Sequence, residues 1–306
     1  MKTDPSESWP DWLRRAEAAL QTAGVDDATG KLRYVAGTLL GCGPGAVEAV
    51  ARQAKAASSD LATRREQMLT ALLAGAPAQY VAEEADFCDF TVKTDKRALI
   101  PRPETEEWTD ALIRHLTGKP QIAPNYRAVE PWGGAQDAPL RIHDVCTGSG
   151  CVAIALARGV ARAKVTASDI DADALSLARE NARQLSASVD FSQADLLAGL
   201  ADSSLDVLTA NPPYISEADY AGLAPTVRAF EPRRALVGGP DGMEFISRLA
   251  HEAPRVLRSG AELWMEIGDD QGPATETLLW QANQYSRIQI LCDYAGRARL
   301  ARALRR

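Results

Sequence analysis

"LRIHDVCTGSGCVAIALARG", residues 140–159, decides how the larger part of the chain folds. "LRIHDVC" reads as a buried strand and "CVAIALARG" as a helix, with Thr147, Gly148, Ser149 and Gly150 turning the chain between them. Glycine lets a backbone approach a ligand closely. The helix start then offers free N–H groups to a carboxylate or phosphate. The third glycine of the dinucleotide fingerprint is absent, and no Gly-Lys-Ser/Thr follows as in a nucleotide-phosphate loop. Taken alone, the segment reads equally well as an ordinary tight turn.

Downstream, strands and helices alternate. "AKVTASDI" is a strand, "DADALSLARENARQL" a helix, and "SVDFSQADL" and "LDVLTA" are strands. "GMEFISRLAHEAPRVL" is a helix that Pro254 can kink. "AELWMEIG" is a strand and "QGPATETLLWQAN" a helix. Such alternation implies a mostly parallel sheet covered on both faces. "SRIQILCD" and "ARLARAL", joined by "YAGR", form a late antiparallel hairpin. Upstream, residues 8–74 hold amphipathic helical stretches that each stop at glycine (Gly24, Gly41, Gly75), with Trp12, Leu13, Ala16 and Leu20 at helical spacing. Residues 76–100, with Phe87, Phe90 and Val92 among acids, read as a hairpin connector. Residues 117–140, rich in Pro, Gly and Ala, read as a surface loop. The expected organisation is a helical domain over 1–75, a connector over 76–104 and an α/β domain over 105–306.

The 306 residues carry a formal net charge of −7, which argues against bulk duplex DNA as the main partner. The basic closing stretch "RARLARALRR" reads, on charge alone, as a solvated tail. Five scattered cysteines without a CxxC pair imply reduced thiols in a reducing compartment. Three histidines far apart in sequence give no metal-ligand spacing, so no metal is expected. The N-terminal "MKTDPSESWPDW" resembles neither a secretory signal nor a transit peptide, and no apolar run is long enough to span a bilayer. A cytoplasmic location is expected before a mitochondrial matrix.

Acids sharpen the glycine turn. Asp144 lies within the end of the first strand, Asp169 ends the next and Asp195 ends the third. Asp169 is placed to accept from ribose hydroxyls and Asp195 to meet an adenine edge. Asp171 and Asp173 read as helix caps. Ligands of open α/β sheets bind outside the carboxyl ends of strands. The combination looks like an S-adenosylmethionine site in a class I methyltransferase (Rossmann-like) fold with a seven-stranded sheet.

"DVLTANPPYIS", residues 206–216, ends the fourth strand with an amide, two prolines and an aromatic. Neither proline can donate to a strand ladder, and a rigid turn is the plain reading. Beside a methyl donor, Asn211 Oδ1 and the Pro212 carbonyl become two acceptors that can hold the N–H groups of a planar nitrogen. Tyr214 offers a ring face to stack on it. That nitrogen belongs to an amide, an adenine or a cytosine. Its lone pair is delocalised, so aimed acceptors and in-line placement supply much of the rate.

The chain resembles the release-factor glutamine methyltransferases of the HemK/PrmC type. The resemblance is carried by "LIPRPETEEW" (99–108), "DVCTGSGCVAIALA" (144–157), "ASDIDADALSLARENA" (167–182), "NPPYI" (211–215), "FEPRRALVGGPDGMEF" (230–245) and "LWMEIGDDQG" (263–272). It implies N5-methylation of the glutamine in the Gly-Gly-Gln motif of peptide chain release factors. Asn211, Pro212 and Tyr214 are the expected catalytic residues. Cofactor contacts are expected from Asp144, Cys146, Thr147, Gly148, Ser149, Gly150, Asp169, Asp195, Leu196 and Asn211. Substrate contacts are expected from Asn211, Pro212, Pro213 and Tyr214, with Arg102, Glu104 and Thr105 shaping the mouth. Cys146 stands where the family has a glycine, and its Cβ is expected to push the turn slightly.

An adenine methyltransferase acting on DNA or RNA shares Asn-Pro-Pro-Tyr, but needs a path for a flipped base and a basic rim. A ribosomal-protein glutamine methyltransferase is a closer variant, and "IPRPETE" argues against it. A scaffold that lost catalysis is disfavoured by the intact Gly-Ser-Gly and Asn-Pro-Pro-Tyr. The helical domain is expected to dock a second surface of the release factor. A monomer without stable nucleic-acid binding is the expected state.

Overall fold

The computed structural model describes residues 4–133 and 138–306. The chain divides into two compact units. One holds the residues up to Ala85 with Thr94–Lys96 and Ala224–Phe230; the other holds Asp86–Lys93, Arg97–Leu223 and Glu231–Arg306.

The first unit is built on helices α1 (Trp9–Thr22), α2 (Ala28–Leu40), α3 (Val47–Gln53), α4 (Ser59–Leu73) and α5 (Ala78–Ala82). Ser8 caps α1 by accepting from the Asp11 N–H, and Pro10 occupies the first turn, where its missing donor costs nothing. Trp9, Trp12, Ala16 and Leu20 form the buried face of α1, packed with Leu32, Val35, Leu69 and Leu72. Arg65 is fully buried, its guanidinium 5.4 Å from the Trp9 ring and 5.5 Å from the Trp12 ring. Gly24, Gly41 and Gly75 end their helices at positive φ. The connector differs from expectation at its start, because α5 occupies 78–82 before strands β1 (Glu84–Phe87) and β2 (Phe90–Lys93) form the hairpin.

The second unit runs α6 (Pro103–Thr117), β3 (Leu140–Val145), α7 (Cys151–Gly159), β4 (Ala163–Asp169), α8 (Ala172–Gln184), β5 (Val189–Gln193), β6 (Leu205–Ala210) and α9 (Glu217–Gly222). After α10 (Pro225–Phe230), which groups with the first unit, come α11 (Glu244–Val256), β7 (Leu257–Glu266), α12 (Gly272–Gln281), β8 (Tyr285–Cys292) and β9 (Ala298–Arg305). Pro254 lies in the last turn of α11. The sheet order is β5-β4-β3-β6-β7-β9-β8. The first five of these strands are parallel, and β9 runs antiparallel to both β7 and β8. Every residue of β6 is buried, as a central parallel strand requires. The order reverses between β3 and β6, so their carboxyl ends part to leave a crevice. On the outer strand β8 the ladder with β9 is interrupted between Ser286 and Gln289, where Arg287 takes φ +48°.

Two expectations are corrected here. The basic closing stretch is no solvated tail: as the hairpin reading of the same residues expected, it is a strand, β9, which pairs with β8 and is inserted between β7 and β8. Its Arg302 is buried because Glu262 of β7 accepts from its Nε at 2.9 Å and its Nη2 at 2.8 Å. The 117–140 stretch is more than a surface loop, since Tyr126, Val129 and Trp132 turn inward. Trp132 packs edge-on against His115, and its N–H donates to the His115 carbonyl at 2.9 Å. Residues 134–137 of that loop lie outside the described residues.

Glu262 also meets His115 Nε2 at 3.1 Å and accepts from the Trp264 indole at 2.7 Å. Burial alone pushes its carboxyl up, but the His115 and Arg302 hydrogen bonds outweigh it and hold it at about 2, against an ordinary 4.5. A folded value below the unfolded one stabilises the protein fully above pH 4.5, and that stability is lost as pH falls toward 2. Glu262→Gln is therefore expected to cost about 3 kcal/mol at neutral pH. In urea titrations across the acid range, its deficit against wild type should close as pH drops below 4.5.

Among the described residues no helix is long and apolar enough to cross a membrane, and no group of His, Cys, Asp and Glu could hold a metal ion. All five cysteines are free.

Candidate active site

The carboxyl ends of β3 and β6 open on a cavity of about 440 Å³ that lies wholly within the α/β unit, inside the size range of small-molecule sites. The turn that follows β3 lines it with Cys146, Thr147, Gly148 and Ser149. Cys146 (φ +58°), Gly148 (φ +54°) and Gly150 (φ +81°) all take left-handed backbone. The turn demands this at 146 and pays for the cysteine, a residue that loses roughly 1–2 kcal/mol there. The following turn is nevertheless intact: Thr147 N–H donates to the Ser168 carbonyl at 3.1 Å and Gly150 N–H to the Thr147 carbonyl at 2.9 Å. Burial, with the nearby Asp169, Asp144 and Asp195 carboxylates, pushes the Cys146 thiol well above its ordinary value.

Three acids were expected to face the ligand, and the structure gives each a different place. Asp144 reaches the cavity wall, but both its oxygens are taken. Thr147 Oγ1 donates to one at 2.6 Å and Thr209 Oγ1 to the other at 2.7 Å. It is a strut that ties the turn to β6, and burial pushes its carboxyl up to about 6 against these hydroxyls. Asp169, at the end of β4, lines the cavity. The Gly148 N–H holds its Oδ2 and the Asp171 N–H its Oδ1, each at 2.9 Å. Burial raises this carboxyl too. Asp195 lies beyond the end of β5 rather than at it, and Arg248 grips its carboxylate at 3.1 and 3.0 Å. Leu196 (φ +47°) is buried on the cavity wall beside it. Of the two expected caps, Asp171 caps α8; Asp173 sits in the first turn and its N–H donates to Asp171.

Gly150 does not line the cavity. A Cβ there would meet the Ala178 Cβ at 3.0 Å, so the glycine serves the close packing of α7 on α8. Thr147, Gly148 and Ser149 do line it.

Asn211 leaves β6 and lines the cavity with Pro213; Pro212 and Tyr214 do not. Pro212 is buried. The Tyr214 ring packs on the main core, and its hydroxyl donates to Glu266 Oε1 at 3.2 Å. Glu266 closes β7 and is 1% exposed. Its Oε2 accepts from Thr105 Oγ1 at 2.6 Å and from the Trp108 indole at 2.8 Å. Thr105 Oγ1 in turn accepts from Asn211 Nδ2 at 3.1 Å. Burial raises the Glu266 carboxyl, against the hydrogen bonds from Thr105, Trp108 and Tyr214.

Thr105 and Arg102 line the cavity, and Glu104 does not. Successive residues of a helix point about 100° apart, so Thr105 turned inward carries Glu104 to a separate cleft with Glu107, Asp110 and Asp293. Arg102 Nη2 donates to Glu231 at 2.7 Å, and the Ile100 N–H reaches the other oxygen of the same carboxylate at 3.3 Å. The two most family-specific stretches, around 100 and 231, are thus one clasp. Sequence reasoning missed Thr209, Glu231 and Glu266. The signal available for Glu266 was an acid inside an otherwise apolar strand, a placement that demands partners.

The cavity fits S-adenosylmethionine. Asp169 is pinned by backbone donors with lone pairs left for hydroxyls, Leu196 and Phe245 supply apolar wall, and the carboxylates suit a cationic ligand. A family model described as "Methyltransferase small domain" matches residues 135–226, and one described as "PrmC N-terminal domain" matches 11–82. The release factor glutamine methyltransferase of Moorella thermoacetica is 38% identical over 298 residues, covering 96% of this chain and 97% of that protein. Its counterpart in Chlorobaculum tepidum is 40% identical over 228 residues, 72% of each chain. Among solved structures, the ribosomal protein L11 methylase of Lactobacillus delbrueckii subsp. bulgaricus is similar with TM-score 0.41 and 24% identity, covering 56% of this chain and 73% of that one. With near-complete coverage at that identity to Moorella, and both sequence models on the chain, this protein belongs to the release factor glutamine methyltransferase family.

Proposed function

We propose that the cavity between β3 and β6 binds S-adenosylmethionine and that Asn211 presents to it the glutamine side chain of a peptide chain release factor, which is methylated on N5 in its Gly-Gly-Gln motif. The chain is an S-adenosylmethionine-dependent methyltransferase acting on release factor glutamine, as its family membership implies. The observation that carries the site assignment is Asn211 at the cavity wall with its amide nitrogen tied to Thr105. S-adenosylmethionine supplies the methyl group as an electrophile. Thr147, Gly148, Ser149, Asp169, Asp195 and Leu196 would hold it. Asn211 Oδ1 and the Pro212 carbonyl accept from the carboxamide N–H groups of the substrate. Two acceptors aimed at those protons favour the nitrogen lone pair turning out of conjugation and fix its direction; as the N–C bond would form and the sulfonium S–C bond break, one of the held protons would pass to solvent. Pro213 lines the approach, and Tyr214, set behind the cavity wall, is anchored at its hydroxyl by Glu266.

The helical unit serves to dock a second surface of the release factor, the protein acts as a cytoplasmic monomer, and it binds no nucleic acid stably. Incubating the full chain with S-adenosylmethionine and a release factor should add one methyl to the Gly-Gly-Gln glutamine, read by mass spectrometry of the tryptic peptide. No added mass there, or methyl on a nucleic acid instead, rejects the assignment. For the docking role, kcat/KM for the intact factor is expected to exceed that for a short Gly-Gly-Gln peptide by about 10²-fold or more, since remote contacts supply binding energy a peptide lacks. Equal values would remove that role.

A further inference from the structure

Glu266 and Thr105 lie 161 residues apart in sequence, one on β7 and the other on α6. Both are buried, at 1% and 3% exposure. A buried carboxylate is costly unless donors surround it, and here three do: the Thr105 hydroxyl, the Trp108 indole and the Tyr214 hydroxyl. Three donors on two oxygens are the environment of an ionised carboxylate, which carries no proton of its own, so Oε2 of Glu266 only accepts. The Thr105 hydroxyl has one proton, and the 2.6 Å contact commits it to that oxygen. Toward Asn211, Thr105 Oγ1 is therefore left with lone pairs alone. Only the Asn211 NH₂ can satisfy it, and it does so at 3.1 Å. The flipped amide would set two oxygens face to face with no proton between them. Hydrogen-bond polarity thus runs one way, from Asn211 through Thr105 to Glu266. Among the described residues, Asn211 Oδ1 accepts no hydrogen bond.

We propose that Glu266, acting through Thr105, is a positioning residue that dictates which end of the Asn211 carboxamide faces the substrate, presenting the oxygen and withholding the NH₂. The inference rests on the reading of Asn211 given above and adds the device that makes Asn211 an acceptor. It also accounts for specificity: an acceptor selects a target that brings N–H to be held, a carboxamide rather than a carboxylate. The same carboxylate holds the Tyr214 hydroxyl, so one buried charge orients both polar members of the 211–214 turn.

The test is a double-mutant cycle in the full chain with an intact release factor as substrate. Thr105→Val removes the hydroxyl but keeps the volume. It should lower kcat by about 10- to 100-fold, the range for misplacing a group at a reacting centre. KM for the factor and calorimetric affinity for S-adenosylmethionine should move less than about twofold. Thr105→Ser restores the relay and should bring kcat back to within about threefold. On an Asn211→Ala background, adding Thr105→Val should cost almost nothing further, because the relay has lost its target. A merely structural threonine predicts the opposite, an additive loss on that background. Wild-type kcat in Thr105→Val, or an undiminished loss in the double variant, overturns the proposal. If the valine variant does not melt cooperatively, Thr105→Ala is read the same way, being a good helix former. A wild-type enzyme inactive on release factors would instead reject the function itself, which keeps the two failures apart.

Discussion

Asn211→Ala is expected to lower kcat on a release factor by about 10²- to 10³-fold, the scale on which removing one pre-aimed polar group at a transition state is felt. A carboxamide nitrogen attacks poorly because its lone pair is shared with the carbonyl. Whatever localises that pair contributes directly to the barrier. Alanine deletes one of two acceptors and leaves the Thr105 hydroxyl facing an empty volume. The fold should persist, since the β6 core (Val207, Leu208, Ala210) stops before the substituted side chain and the turn keeps both prolines. Affinity for S-adenosylmethionine should change only a few-fold, because the pinned carboxylate of Asp169 and the glycine turn are untouched. Initial rates with a methyl-labelled cofactor, paired with calorimetry, separate the two effects. Unchanged turnover in a sample that melts like wild type would remove Asn211 from the mechanism.

The second large effect belongs to the cofactor. Asp169→Ala should weaken S-adenosylmethionine binding by about 10²- to 10³-fold, since hydrogen bonds to a charged group are worth roughly 1.5–3 kcal/mol each. Two losses combine. The ligand loses its hydroxyl acceptor, and the turn loses the tether that holds the Gly148 N–H. Asp169→Asn should be almost as damaging. Both native oxygens accept from backbone N–H groups, so an amide must turn its NH₂ against one of two donors. Isothermal titration measures the loss. An asparagine variant with wild-type affinity would show that the backbone donors do not set the geometry of this carboxylate.

Much of this architecture was legible because its signals are local. The strand, glycine turn and helix of 140–159 sit within one stretch, and the 211–214 turn announces itself by two prolines after an apolar run. What escaped was what depends on remote partners. The closing arginines looked solvated because charge alone was weighed, yet Arg302 is buried on a Glu262 that lies 40 residues earlier. Helix α6 was left unassigned, although Pro103 in its first turn with Glu104 and Glu106 is a start signal. Asp144 lines the cavity, and its second role as a brace escaped because Thr209 comes from a neighbouring strand that no window on residue 144 contains. Glu266 was quoted as part of a resemblance without a role, because its partners Thr105 and Tyr214 lie in two separate stretches of chain.

The irregularity in β8 has a use beyond the sheet that contains it. An outermost strand exposes a rim of unsatisfied N–H and C=O groups, onto which a neighbouring molecule can add its own strand and seed aggregates. At Arg287 the backbone swings into left-handed territory, so the rim cannot run straight, and a largely exposed cation stands at the kink. The break in the ladder thus makes this edge a poor template for a guest strand.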